Sequence, residues 1–286
     1  MLLQLLSVPL CVTPLVTGLG ACAVEPAPAP SSASAATRPS DAEHDPTYAE
    51  WTTILRDHVA GDRFDYAALK KESARLDAVL ARLTVVTPTQ LEGWSRDERM
   101  AFWINVYNAH AIKLVVDAYP IESIRDLGTL LNKVWDKRFI DLPAFDPDGK
   151  GRKLSLDDVE HKILRPTFED PRVHAAVNCA SESCPALRAE AFTGKDLQRQ
   201  LDEQTRAWLA DPTRNRFEAS EKRLRVSQIF DWFRKDFVDA AGSVPEWIAK
   251  YAPEKEATWL RATSPDGVKL AYLDYSWKLN DVVRER

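Results

Sequence analysis

Residues Ala101 to Val116 read AFWINVYNAHAIKLVV and are apolar on nearly every side of a helix. A helix without a polar face cannot lie on a surface, so this one is expected at the centre of the fold with other elements wrapped around it. Its polar residues then become informative. Asn105 and Asn108 fall one turn apart on the face shared with Ala101 and Ile112, and a buried amide without partners costs roughly 1 to 3 kcal/mol. Both are expected to be hydrogen-bonded, either tying down a neighbouring loop or orienting a catalytic group or substrate. His110 shares the side of Trp103 and Tyr107 and is read as a packed histidine.

The elements around this helix are mostly helical in period. Thr47 is a helix cap ahead of Tyr48, Trp51, Ile54, Leu55 and Val59, with Gly61-Asp62 ending that helix. Phe64 to Leu69 leads into a second apolar stripe of Leu76, Val79, Leu80 and Leu83, and Pro88 stops it. Leu197, Leu201, Thr205 and Trp208 mark a later helix after Phe192. Ser227 caps another that carries Ile229, Phe230, Phe233 and Phe237. Strand-like segments are few: Lys222 to Val226, and Leu273, Tyr275, Trp277 and Leu279 alternating after the turn Pro265-Asp266-Gly267. The pattern predicts an α+β fold, a predominantly helical single domain with a small sheet, over residues 47–286.

Composition agrees with that fold class and excludes some partners. At 286 residues, with 45% hydrophobic and 28% charged, the chain can build one large core or two small ones. A net charge of −5, with basic residues scattered among acids, leaves no field for a phosphate backbone, so no nucleic acid is expected. There is no phosphate-binding glycine loop, and no cofactor is called for. Nine Trp, ten Phe and seven Tyr chiefly supply the core, with some free to line a ligand groove.

The N-terminal end carries a different signal. Met1 to Leu19 is mostly apolar and uncharged, but Pro9, Pro14 and several polar residues make it a poor membrane-spanning helix, so it reads as an export signal over residues 1–21. Leu19-Gly20-Ala21-Cys22 resembles the lipobox of bacterial lipoproteins, which implies acylation of Cys22 and a membrane anchor. Residues 22–46, rich in Ala, Pro and Ser, are too poor in large apolar groups to fold and read as a disordered tether. Ala23 after the acylated cysteine leans towards the outer membrane, facing the periplasm.

Chemistry concentrates later. Asp146 to Gly151 starts like a calcium loop, but Lys150 stands at a ligand position and Asp157 replaces the final Glu, so it reads as a turn. Ser155-Leu156-Asp157-Asp158 opens a helix that runs to Leu164, with Pro166 marking its end. Leu156, Val159 and Ile163 form its apolar face, and Glu160 projects from that same face with His161 at the edge. Next comes RVHAAVNCASESCPAL, Arg172 to Leu187. Val173, Ala175, Val177 and Cys179 alternate with His174, Ala176 and Asn178, the period of a short strand delivering Cys179 to its end.

Four ordered segments together resemble the domain of unknown function 547 family: FWINVYN at Phe102 to Asn108, SLDDVEHKILRP at Ser155 to Pro166, NCASESCPAL at Asn178 to Leu187 and LDYSWKLN at Leu273 to Asn280. The resemblance covers roughly Trp51 to the end of the chain and implies no established reaction. It favours Asn105, Asn108, Glu160, His161 and Cys179 as shared positions over His110, His174 and Cys184.

Two functions fit. In a thiol enzyme of hydrolase or acyl-transferase type, Cys179 is the nucleophile, His161 the base, and Glu160 or an Asn amide orients the imidazole. In a noncatalytic binding or scaffold lipoprotein, Cys179 and Cys184 are the two cysteines left after Cys11 leaves with the signal and Cys22 is acylated, and an exported chain pairs them. A redox role lacks the two-residue spacing of thioredoxin-like motifs. Zinc on His174, Cys179 and Cys184 has irregular spacing in an oxidising compartment. No metal is therefore assigned.

Overall fold

The computed structural model describes residues 44–129, 133–142, 145 and 152–282. The expected leader, the lipidation site Cys22, most of the tether and the Asp146 to Gly151 turn lie outside the described residues. Those described belong to one compact unit, Pro39–Arg286.

Helix α1, Ala49–His58, is followed by a hairpin of β1, Val59–Ala60, and β2, Arg63–Phe64, turning at Gly61 with φ of 64°. The N-cap position of α1 is Tyr48, not Thr47, and the helix start is held by Asp45. Its carboxylate accepts from Thr47 N at 2.9 Å and Ala49 N at 2.8 Å, while Tyr48 turns through a left-handed conformation. His44, expected in the tether, packs its ring at a tilt against Trp94 with centroids 4.7 Å apart.

Helices α2, Tyr66–Lys71, α3, Ser73–Thr84, and α4, Pro88–Gly93, then lead to α5, Arg96–Ala118. Pro88 occupies the first turn of α4 behind a Thr87 capping box, where its missing N–H costs nothing. Helix α5 is the predicted central helix, extended at both ends, and Ala101 to Ile112 are all buried. Ser95 and Glu98 form a reciprocal cap at its start.

Ser155 and Asp158 form the predicted helix start, each side chain accepting from the other's backbone N–H at 3.0 Å. Beyond it, Asp158–Leu164 is a π-helix that continues without a break into α6, Arg165–Phe168. Pro166 was expected to end this helix and does not. The wider π turn leaves room for the ring where an α-turn would clash, and the chain turns out only at Glu169, in a left-handed conformation.

The predicted cysteine strand is a second correction. Val173–Ala176 is a single helical turn, α7, nucleated by Asp170-Pro171: Val173 N bonds to Asp170 O and His174 N to Pro171 O, each at 3.1 Å. Alternation over so few small residues fits a buried helical turn as well as a strand.

Helix α8, Leu197–Ala210, precedes β3, Arg216–Glu218, and β4, Arg223–Val226. Then come α9, Ile229–Trp232, α10, Arg234–Ala241, α11, Val244–Tyr251, α12, Glu254–Ala262, and β5, Lys269–Tyr272. The expected single helix after Ser227 is thus two pieces with a break at Phe233. The small sheet has the order β3-β4-β5, antiparallel then parallel. The expected strand Leu273 to Leu279 lies outside that ladder and runs instead along the cysteine loop, through Glu182 N to Lys278 O at 2.8 Å and Asn280 N to Ala180 O at 3.1 Å. The fold is a predominantly helical α+β domain, as its periods predict.

Two cores hold it. One surrounds α5, with Trp51, Phe64 and Phe102 buried in it. The other gathers Trp208, Phe230, Phe237 and Trp247, with Trp208 and Phe230 stacked 4.7 Å apart.

Candidate functional site

A cavity of about 300 Å³ is lined by residues of both cores, including Tyr107 and Val177 from the first and Ile229 and Phe233 from beside the second. Helix α5 sets its floor by holding the cysteine loop. Asn108 Nδ2 donates to Ala176 O at 2.9 Å, and its Oδ1 accepts from Asn178 N at 2.8 Å, so one amide satisfies the carbonyl and the N–H left over where α7 ends. Asn178 continues the work: Oδ1 accepts from Ala180 N and Nδ2 donates to Pro185 O, both at 2.8 Å. Ala180 is thereby held at φ of 61°, a conformation alanine seldom adopts. Buried Arg214 closes the loop from outside, donating to Cys184 O at 2.6 Å and Glu182 O at 2.8 Å.

Cys179 and Cys184, with Cα atoms 6.3 Å apart, are joined in a disulfide that forms part of the cavity wall. The Tyr275 hydroxyl stands 3.3 Å from each sulfur and 3.0 Å from Ser181 Oγ. Burial pushes the Tyr275 phenol well above its usual range, more than the Ser181 hydrogen bond lowers it, so it is a neutral hydroxyl near pH 7.

Across the cavity stand Glu160 and His161, the two residues of the π-helix nominated from sequence. His161 Nε2 lies 3.3 Å from Asp157 Oδ1, and Nδ1 lies 2.9 Å from Arg165 Nη1. Both ring nitrogens are thus engaged on its own helix, and the sulfur of Cys179 lies 3.1 Å from Ser181 Oγ and 3.3 Å from the Tyr275 hydroxyl. Glu160 faces Tyr107, and burial first, then the charge of Glu160, holds the Tyr107 phenol well above its ordinary value. His174 Nδ1 is 3.8 Å from Glu160 Oε1, and its Nε2 is 2.8 Å from Asp236 Oδ2. Arg165 forks onto the same Asp236 carboxylate at 2.7 and 2.9 Å. Burial alone would raise the Asp236 carboxyl; hydrogen bonds from His174 and Arg165 outweigh it and hold the group well below the usual carboxylate range.

Of the residues nominated from sequence, Cys179, Cys184, Glu160 and His161 line this cavity together. Asn105 and Asn108 do not. Asn108 holds the loop as described, and Asn105 pairs with the backbone of Phe192, donating at 2.7 Å and accepting at 3.1 Å. His110 is packed as predicted, bonded to Val106 O at 2.7 Å. The zinc set does not assemble, since His174 is committed to Asp236 and both sulfurs to each other.

Sequence reasoning weighed His174 only as a zinc ligand and missed Asp236, Tyr107 and the aromatic wall of Trp232, Tyr275 and Trp277. Reading Val173 to Cys179 as a strand set His174 on the face opposite Cys179, whereas the helical turn brings both to one cavity. The regular spacing of Tyr275 and Trp277 was the available signal for the wall.

A family model described as "Protein of unknown function, DUF547" matches residues 91–209. That span takes in Asn105, Asn108, Glu160, His161, His174 and both cysteines, and stops short of Asp236 and Tyr275. No curated protein and no solved structure matches the chain.

Proposed function

We propose that this chain is an exported, lipid-anchored binding module, tethered through Cys22 at the periplasmic face of the outer membrane, that holds a small ligand in the cavity beside its disulfide. The observation that carries this reading is the Cys179–Cys184 bond in the cavity wall. A paired sulfur has no thiolate with which to attack a substrate. The cavity, about 300 Å³, falls at the lower end of the roughly 300 to 1,000 Å³ usual for small-molecule sites. The anchor rests on the leader and on Leu19-Gly20-Ala21-Cys22. Mass spectrometry of protein from native membranes tests it: an acylated Cys22 at the mature N-terminus is expected, and a chain retaining Met1 removes the anchor.

A second reading is favoured by one feature. His174, oriented by Asp236 at 2.8 Å, lines the same cavity as Cys179, and a histidine so held is the partner that a cysteine nucleophile needs. In that reading the base is His174 instead of His161, and the working protein keeps Cys179 as a free thiol. Labelling with an electrophilic thiol probe separates the two. The binding module stays unlabelled as isolated from the membrane, whereas a working thiol enzyme labels at Cys179 and loses that label in Cys179→Ser but not in Cys184→Ser.

A further inference from the structure

We propose that the cavity beside the disulfide is a receptor for a quaternary ammonium group; this names the ligand class for the binding module and rests on that reading. The walls are aromatic. Trp232 and Trp277 stack at 17° with centroids 5.8 Å apart, and Tyr275 leans on both at 4.8 and 4.7 Å. Trp135 adds a further ring 5.8 Å from Trp277. All four line the cavity. Among the described residues, Trp232 is the large apolar side chain left open to solvent, 45% exposed.

The charge of the lining selects the occupant's sign. Asp136, Asp157 and Glu160 line the cavity with Lys133, and Arg125 stands over the lining ring Trp277, three carboxylates against two cations. Arg165 is taken up by Asp236 and adds no free positive charge. An anion would meet a net negative field between rings whose faces are also negative. A cation is attracted by both.

The rings already take cations within the fold. Arg125 lies over Trp277 at 5.4 Å and Arg165 over Phe233, another lining ring, at 4.8 Å. Asp157 is met by His161 at 3.3 Å, and Glu160 stands 3.8 Å from His174. The four rings are what favour a methylated ammonium over a primary amine, since a ring face offers charge attraction but no strong acceptor for an N–H.

The test is calorimetric titration of the mature full chain with choline at low ionic strength. The carbon isostere 3,3-dimethylbutan-1-ol and methyl glucoside serve as neutral comparisons. Saturable choline binding is expected, with Kd below about 1 mM and the isostere weaker by about tenfold or more. Trp232→Ala and Glu160→Gln should each weaken choline by about tenfold with the melting transition retained; Asp157→Asn replaces Glu160→Gln if the latter fails to fold. The proposal is overturned by no saturation up to about 10 mM, by equal binding of the isostere, by sugar binding in place of choline, or by folded variants that bind like the wild type. Labelling the same sample with a thiol probe keeps the two failures apart. An unlabelled protein that binds a neutral compound loses only the cation assignment, whereas a labelled Cys179 with intact choline binding loses only the noncatalytic reading.

Discussion

The Tyr275 hydroxyl lies 3.3 Å from the sulfur of Cys179 and ties the C-terminal segment to the cysteine loop at the wall of the cavity. The same oxygen meets Cys184 and Ser181, so Tyr275→Phe strips one polar atom from three neighbours without changing the shape of the wall. A loss of about 1 kcal/mol is expected, visible as a melting temperature lower by roughly 2 to 4 °C. An unchanged melting temperature would mean that these contacts contribute nothing to the fold.

Asn108 is a structural clamp on the loop that carries Cys179. Asn108→Ala leaves Ala176 O and Asn178 N without partners in the interior, and the expected cost by urea unfolding is roughly 2 to 4 kcal/mol. Asn105→Ala should cost a similar amount through Phe192. A stable Asn108→Ala protein that has lost ligand binding alone would reassign the amide to the ligand.

Gly194 packs against the start of α5, where a Cβ would stand 2.8 Å from Glu98 Cα. Backbone cannot give way as a flexible side chain does, so Gly194→Ala is expected to destabilise by about 1 to 3 kcal/mol. The same exchange at Gly93, where nothing lies within 4 Å, should be neutral or stabilising. Equal effects at the two sites would contradict the close approach.

Burial pushes the His110 imidazole down to about 4, against a weaker upward pull from its bond to Val106 O. Between pH 6.5 and 4 the unfolded chain binds a proton at this position that the folded chain refuses, so stability falls as pH falls, by roughly 3 kcal/mol from this group. Asp236 has the opposite cause and acts lower: its depressed carboxyl stabilises above the ordinary value of 3.8 and loses that contribution only as pH falls further. Urea midpoints at pH 7 and pH 4.5 should therefore differ less in His110→Gln than in the wild type. An equal difference in both proteins would place the acid sensitivity elsewhere.

Long-period features of this fold were legible in the sequence, and short ones were not. The all-apolar stretch of α5 has one physical solution, burial, and from that the hydrogen bonding of Asn105 and Asn108 follows. Ser155 and Asp158 announced their cap by type and spacing. Val173 to Ala176 is too short for its period to distinguish a helical turn from a strand, and the error moved His174 away from the site. The π-helix is invisible to a 3.6-residue wheel, so Glu160 was correctly aimed inward while Pro166 was wrongly taken as a stop. Asp236 and Tyr275 lie 62 and 101 residues from His174, and no local pattern joins groups that only the packing of α10 and the C-terminal segment brings together.

The most direct test of the account is the redox state of one tryptic peptide, Val173 to Arg188, which contains both Cys179 and Cys184. Mature protein taken from its membrane should be denatured in alkylating reagent without reductant, and that peptide weighed. The account predicts an unalkylated peptide lighter by two hydrogens than the dithiol, and a doubly alkylated one only after reduction. An alkylated Cys179 in the unreduced sample would contradict the binding module and return the cavity to thiol chemistry.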